Sequence, residues 1–467
     1  MSTANAKKGQ PCVGYMDIGD PRHPPETVEA IVSRGREIAA ALRAKDVKVI
    51  EAEQLVATEP VARAAVERLK AAGAEGIVIR CAWFLRANVI AGIAQYAYPT
   101  PVILWAVENP NDVGYEGLAL SHGALDEIGM PHQYHYGDLG DDGLAPVVAW
   151  AKACHIKASL LGAIYGEIGG RSLEMMPASS DDNQLRKIFG LHVDPLEQWT
   201  LIRRAETVPE SAWKPIVERV RAECKVVDAS PETLEKSAKL YVAGSEIIRE
   251  RGWSFAGIQC QMEMIDNYLG PCLPVALWNE EGFVVSCETD VNNALSMYVG
   301  HKITGQATMF CDIFYMDPRA RVIHALNCGT GAPSLAGGPQ NVECHEQFPG
   351  QGSWDEENQC SLCKGGACYQ FTLTPGPVTI VRFGRIDGRY VVHLTEGEAI
   401  PHKFDPTEVH GLTAVWPFAY VQLPPSADPL TFLGHMRSHH ATIARGHIAD
   451  AVRRFAAMCN IGVLEQR

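Results

Sequence analysis

The stretch FVVSCETDVNNALSMYVGHKITGQATMFCDIF, residues 283–314, decides how the rest of the chain is read. Residues 283–287 are apolar and β-branched, which suits a buried strand. The run turns acidic at Glu288 and Asp290. Residues 291–304 then follow a helical pattern, with Gly305 placed as its C-terminal stop. A second β run at 307–311 ends on another carboxylate, Asp312. Strand, helix and strand with such short connections predict a right-handed crossover between parallel strands. Glu288 and Asp312 would then emerge on the same carboxyl edge, where open α/β sheets place their ligands. Carboxylates forced together repel, so a shared site holds a cation or protonates one of them. Oxygen ligands favour Mn²⁺ or Mg²⁺ over Zn²⁺. The alternative is two solvated residues at strand ends.

Length and composition bound the answer before any motif does. A chain of 467 residues is long enough for two to four domains. Its 46% hydrophobic and 21% charged content is that of an ordinary soluble protein. A formal charge of −14 argues against nucleic acid, which requires a basic surface. No apolar run is long enough to span a bilayer, and the polar first ten residues do not read as a secretion signal. Fourteen cysteines in a chain of this length read as reduced thiols, so a cytoplasmic location is expected.

Strands at 13–18, 47–52, 76–82, 101–106 and 133–136 alternate with helices at 26–43, 60–72, 85–97 and 118–128. This predicts a first α/β domain over 1–158, with the helix at 145–158 as its boundary. No GxGxxG follows the first strand, so no nicotinamide site is expected. A second Rossmann-like parallel-sheet domain, 159–315, begins with a strand at 160–165 and a glycine loop, Gly166-Glu167-Ile168-Gly169-Gly170-Arg171-Ser172. That loop is either a plain turn or an anion-binding nest of backbone amides. Helices at 209–224 and 231–251 and a strand at 255–259 lead to the 283–314 unit. From 316 to 467 the pattern is strand-rich, at 378–383, 390–395 and 414–421. This gives a β-rich C-terminal domain closed by a helix at 447–458.

The motifs resemble those of L-fucose isomerase, within the L-fucose/L-arabinose isomerase-like group. That family's pattern is E-(N/T)-D, a helix, then G-H-x-(L/I)-T-G-x-A-x-x-F-x-D. This chain has Glu288-Thr289-Asp290, then Gly300-His301-Lys302-Ile303-Thr304-Gly305-Gln306-Ala307 and Phe310-Cys311-Asp312. The likeness runs in patches from Gly162 to the C-terminus and includes the glycine loop. It implies that His440, in Ser438-His439-His440-Ala441, joins Glu288 and Asp312 as a metal ligand. His439 stands where the family usually has asparagine. By resemblance Gln259, Trp83 and Trp416 contact substrate, and Trp83 reaches a neighbouring subunit's site, implying a trimer or hexamer. Met16 stands where L-fucose isomerase carries a substrate-binding arginine, with Arg22 as its candidate substitute.

The resulting expectation is a metal-dependent aldose–ketose isomerase using Mn²⁺, with Mg²⁺ or Co²⁺ as alternatives. Glu288 and Asp312 exchange protons between C1 and C2, and the metal offsets charge developing on O1 and O2. The sugar is L-fucose, D-arabinose or L-arabinose. An anionic sugar such as sulfoquinovose is the alternative, since some short relatives in this group act on it. Arg22, Arg80, Arg86 and Arg171 would then supply a clamp for its sulfonate, against the simpler reading of solvated side chains. A non-catalytic sugar sensor is the rival of another class, and a zinc- or nicotinamide-dependent oxidoreductase lacks a fingerprint. Cys360-Ser361-Leu362-Cys363, with Cys344, His345 and Cys368, has zinc-knuckle spacing but no second matched pair.

Overall fold

A computed structural model describes residues 9–20, 22–83, 86–109, 113–261, 263–346, 354–355, 360–361, 365–402 and 416–466. Two units emerge, Met1–Ser159 with Asp450–Asn460, and Leu160–Ala449 with Ile461–Arg467.

The first unit alternates strand and helix: β1 (Cys12–Ile18), α1 (Pro25–Ala44), β2 (Lys48–Glu51), α2 (Glu59–Ala71), β3 (Gly76–Cys81), α3 (Ala87–Ala97), β4 (Val102–Val107), α4 (Gly114–Glu127), β5 (Gln133–Gly137) and α5 (Asp141–Leu160). The strands pair in parallel in the order β2-β1-β3-β4-β5. Helices on both faces bury the central strands, so β1, β3 and β4 are buried along their whole lengths and read as mainly apolar runs, broken only by the Asp17 and Arg80 pair. Proline in the first turn of α1 and of α2 sits where an amide hydrogen has no partner to lose.

The second unit opens with β6 (Ile164–Ile168), α6 (Asp182–Phe189), β7 (His192–Leu196), α7 (Gln198–Glu206), α8 (Glu210–Glu223), β8 (Val226–Val227) and α9 (Pro231–Arg251). It continues through β9 (Phe255–Ile258), α10 (Glu263–Asn267), α11 (Cys272–Glu280), β10 (Val285–Cys287), α12 (Val291–Thr304), β11 (Met309–Asp317), β12 (Val322–Leu326) and β13 (Glu343–Glu346). Then come β14 (Trp354–Asp355), β15 (Cys360–Ser361), β16 (Ala367–Thr372), β17 (Gly376–Ile386), β18 (Arg389–Ala399), β19 (Pro417–Gln422), α13 (Pro429–His435) and β20 (His440–Arg445). The chain ends with α14 (Ala449–Met458) and β21 (Gly462–Gln466). Most of α14 belongs to the first unit, where Arg454 and Gln133 exchange hydrogen bonds of 3.1 Å.

Strands β10, β9, β6 and β7 form a parallel sheet in that order. A second sheet runs β21-β18-β17-β20-β11-β12-β19-β16-β13-β8. Within it, β18 also pairs antiparallel with β19, so β18-β17-β20-β11-β12-β19 closes on itself as an antiparallel barrel. Closure removes the unpaired edges that these six strands would otherwise expose. The fold is thus α/β with parallel sheets and a strand-rich C-terminal region, as expected.

The parallel crossover expected for residues 283–314 does not form. The elements β10, α12 and β11 lie where the pattern put them, but β10 joins the parallel sheet while β11 pairs antiparallel with β12 and β20. Helix α12 is buried from Val291 to Gly300 rather than along one stripe. It packs against both β9 of one sheet and β17 and β20 of the other. A short loop after a helix fits either connection, and β20, the partner that captures β11, lies far along the chain. Two smaller departures follow the same rule. Strand β6 begins at Ile164 because Leu160 ends α5, and Gly166–Ile168 are strand rather than loop.

Candidate metal and sugar site

Three segments of the second unit meet at one place. Register pairs Asp312 of β11 directly with His440 of β20, which puts both side chains on one face of the ladder. Glu288 arrives from the parallel sheet, one residue beyond β10. There the chain turns through two left-handed residues, Glu288 at φ 57° and Thr289 at φ 53°. Non-glycine residues pay about 1–3 kcal/mol each for such backbone, a cost that clusters where a side chain must be aimed. His440 Nε2 lies 3.1 Å from Glu288 Oε2 and 3.3 Å from Asp312 Oδ1. Glu288 Oε2 and His440 Nε2 are both buried, yet neither makes a properly directed hydrogen bond. Two buried ligand atoms without directed bonds, with an Asp312 oxygen beside the imidazole, suit a cation among them. Carboxylate oxygens and one imidazole nitrogen fit a Mn²⁺-class ion.

Asp290 stands behind this set. It caps α12 through the Asn293 amide, which donates to Oδ1 at 3.0 Å. Its Oδ2 accepts from His440 Nδ1 and from Arg382 Nη1, each at 2.8 Å. Asp290 and Arg382 are essentially fully buried. Burial pushes the Asp290 carboxyl up, but Arg382 and His440 outweigh it and hold it well below the usual range. His440 is likewise opposed by burial, yet Asp290, then Asp312 and Glu288, hold its imidazole well above the ordinary value. With Nδ1–H bound to Asp290, Nε2 is the atom turned toward Glu288 and Asp312, the arrangement in which a carboxylate orients a metal-ligating histidine.

Neighbouring groups fill in the surroundings. His439 is half-exposed, with Nε2 at 3.6 Å from Asp312 Oδ1, and burial followed by the His440 charge lowers its imidazole pKa. Gln259 follows β9, on the same carboxyl edge as Glu288, and is buried. Its Oε1 accepts from the Gly170 amide at 3.0 Å, and its backbone carbonyl accepts from Gln198 Nε2 at 2.5 Å. At least one amide of the glycine loop is therefore taken by Gln259. Arg171 is exposed in that loop. Trp416 is buried among Cys272, Leu326, Cys368, Phe418 and Tyr420. Cys260 and Cys287 lie with their sulfurs 3.5 Å apart beside Glu288. That contact and burial raise the Cys287 thiol well above its usual value, so it stays protonated and is a poor ligand for a hard cation.

The other candidates lie in the first unit. Trp83 meets His23 edge-to-face at 4.7 Å. Arg22 is exposed and paired with Asp20 at 2.6 Å, and Arg86 is exposed. Arg80 is buried, donating to Asp17 Oδ1 at 3.0 Å and to the Ile31 carbonyl at 2.9 Å. Met16 is buried in the core. Of the zinc-knuckle residues, Cys363 and the side chain of Cys360 lie outside the described residues. Cys344 and Cys368 are buried on paired strands β13 and β16. Sequence reasoning did not assign Asp290 or Arg382 to the site. The signal for Asp290 was the final residue of Glu288-Thr289-Asp290 opening a helix. For Arg382 it was a cation inside the buried stretch of β17.

Comparison with known proteins finds sugar isomerases. Residues 326–466 match the family model of the L-fucose isomerase C-terminal domain. A sulfoquinovose isomerase of Alkalicoccus urumqiensis is 26% identical over 326 residues, covering 67% of this chain and 70% of that protein. One from Priestia aryabhattai is 22% identical over 362 residues, covering 75% and 78%. An L-fucose isomerase of Bacteroides fragilis is 24% identical over 459 residues, covering 78% and 76%. A Lac repressor structure matches over 55% of this chain and 67% of that one at 12% identity, but with a TM-score of 0.17 it carries no argument. The chain is thus similar to the L-fucose isomerase family model over residues 326–466, and to curated sulfoquinovose and L-fucose isomerases over two thirds or more of its length.

Proposed function

We propose that the protein is a metal-dependent aldose–ketose isomerase in which Glu288, Asp312 and His440 hold a divalent cation of the Mn²⁺ class. The convergence of these three side chains, with Asp290 fixing the His440 tautomer, is the observation that carries the reading. When bound, such a cation would hold the O1 and O2 oxygens of an open-chain sugar and offset the negative charge that grows on them. Glu288 and Asp312 are the carboxylates positioned to take a proton from one of C1 and C2 and return it to the other. Gln259, on the same sheet edge, is held by Gln198 and Gly170 and orients the sugar. A non-catalytic sensor has no use for this ligand set.

Sulfoquinovose is our first candidate sugar, because relatives bearing that name match over 67–75% of the chain. L-Fucose is the comparator. A sulfonate needs a cation, and Arg22, Arg86 and Arg171 are exposed, whereas Arg80 is committed to Asp17. The test is turnover with Mn²⁺ of sulfoquinovose, L-fucose, D-arabinose and L-arabinose, repeated with Arg22→Met, Arg86→Met and Arg171→Met. A clamp residue should cost sulfoquinovose at least tenfold more in kcat/KM than a neutral sugar, since a sulfonate would be left unpaired. Equal losses remove the clamp. Absence of Mn²⁺-dependent turnover for every sugar removes the isomerase reading.

A further inference from the structure

Helix α4 carries His122 and Asp126 one turn apart, hence on one face. His132, one residue before β5, comes back beside them. His122 Nδ1 and His132 Nε2 are 2.8 Å apart. The outer nitrogen of each ring faces an acceptor. His132 Nδ1 lies 2.9 Å from the Met130 carbonyl, and His122 Nε2 lies 3.4 Å from Asp126 Oδ2. Tyr134 covers the His122 ring, with centroids 4.4 Å apart.

These contacts dictate where protons sit. Met130 offers only a carbonyl, so His132 Nδ1 carries hydrogen and its Nε2 presents a lone pair to His122. His122 Nδ1–H donates to that lone pair at 2.8 Å, which leaves its Nε2 facing the Asp126 carboxylate at 3.4 Å. A cation between the rings would take the place of that shared proton and let His122 carry its hydrogen on Nε2 toward Asp126, so that both outer N–H groups face oxygen acceptors, as in metal-binding histidines generally.

We propose that His122 and His132 form a second divalent-metal site, of the Zn²⁺ class, in the first unit. Asp126 and the Met130 carbonyl act as positioning groups. Imidazole nitrogens select Zn²⁺, Ni²⁺ or Cu²⁺ over Mn²⁺ and Mg²⁺. At Zn–N lengths of about 2.0–2.1 Å, tetrahedral ligands stand about 3.3 Å apart, so the two nitrogens would part by about 0.5 Å and both rings would turn to aim their lone pairs at one point. The side chains of His122 and Asp126 are 35% and 62% exposed, which leaves the remaining coordination positions to water. A metal here ties the end of α4 to the start of β5 across the turn between them. It is separate from the ligand set Glu288, Asp312 and His440, and it does not depend on the isomerase reading.

The experiment is calorimetric titration of the full-length protein with Zn²⁺, alongside His122→Gln, His132→Gln and Asp126→Asn. Wild type should bind one equivalent more than either histidine variant. Asp126→Asn should keep the stoichiometry and bind that equivalent about 10–100-fold more weakly. Zn²⁺ at a hundredfold excess over its Kd should raise the Tm of the first unit by several degrees, and this shift should vanish in His122→Gln. If His132→Gln fails to fold, His122→Gln, altered at a partly exposed position, decides alone. Equal stoichiometry and affinity in wild type and His122→Gln would overturn the proposal.

Discussion

Replacing Asp290 by asparagine tests how the candidate site is held together, because one carboxylate serves three donors. Its Oδ1 takes the first-turn amide of α12, and its Oδ2 takes both Arg382 and the His440 ring. Asparagine is nearly isosteric but neutral, and its NH₂ can only face donors that already point inward. Arg382 is 1% exposed and would lose the counter-charge that makes its burial tolerable. Breaking one side of a buried pair costs about 3–5 kcal/mol. That is a large share of a typical folding stability of about 5–15 kcal/mol. The same change frees the His440 ring, and losing an orienting partner lowers metal affinity about 10–100-fold. Urea unfolding in chelator reads the first effect without metal linkage, and Mn²⁺ titration by EPR reads the second. Arg382→Met with Asp290→Asn should together cost less than the sum of the two, since the double variant leaves no unpaired charge. An Asp290→Asn protein with wild-type stability and wild-type Mn²⁺ affinity would refute this account.

Three other outcomes follow, two from the same geometry and one, on Trp83, from the family resemblance. Glu288→Gln and Asp312→Asn should each abolish sugar turnover while circular dichroism stays unchanged, and chelation should abolish it reversibly. A chelated protein that keeps full activity contradicts the proposed role of the cation. Because the surrounding carboxylates hold His440 protonated above the ordinary imidazole range, a cation must displace that proton. Mn²⁺ affinity should therefore rise about tenfold per pH unit below the raised value, with about one proton released per ion. Calorimetry in buffers of different ionisation enthalpy measures the release. In metal-free protein the sign reverses. Protonated His440 stabilises the fold at low pH, fully so below the unfolded imidazole value of about 6.5, and the contribution is lost as pH rises through the higher folded value. Trp83→Ala should impair turnover without lowering Tm, and if Trp83 completes a neighbour's site the active species is an oligomer. A fully active monomer by light scattering rules that out.

The first unit was legible almost strand by strand because its central strands are buried on both faces and the helices beside them bury mainly one side. Such a pattern is local: Val102–Val107 is apolar throughout and Pro60 marks the first turn of its helix. The bounds of α12 were equally local, since Asp290 caps its start and Gly305 adopts the left-handed stop. What failed was the pairing of β11. A strand's partner is chosen by contacts distant in sequence, and β20 lies more than a hundred residues beyond β11. The sequence places Glu288 and Asp312 near each other for a reason that does not operate. In the structure Asp312 meets His440 through antiparallel register, and Glu288 reaches them from a different sheet.

That difference changes what the site depends on. A crossover would have held both carboxylates on one sheet edge, so that the geometry rested on a single local unit. Instead α12 is wedged between the parallel sheet and the barrel, with polar groups along it that bond outward in several directions. Asn292 donates to the Pro177 carbonyl at 2.7 Å and accepts from Tyr390 at 3.0 Å. Asn293 donates to the Ala441 carbonyl at 3.2 Å and accepts from Thr442 at 2.9 Å. Ser296 accepts from the Phe383 amide at 2.9 Å. An amphipathic crossover helix would carry apolar residues at these positions. Their polarity is the trace, in the sequence, of a helix enclosed on all sides. The Asn293 and Ser296 bonds fix α12 to the two strands that carry site residues: β17 bears Arg382 and β20 begins at His440. Asp290, as the cap of α12, turns the position of the helix into the position of the imidazole. Asn293→Ala should consequently loosen β20 against α12 and weaken Mn²⁺ binding, although Asn293 touches none of the three candidate ligand atoms. Unchanged Mn²⁺ affinity in that variant would show that Asp290 and Arg382 suffice to hold His440 on their own.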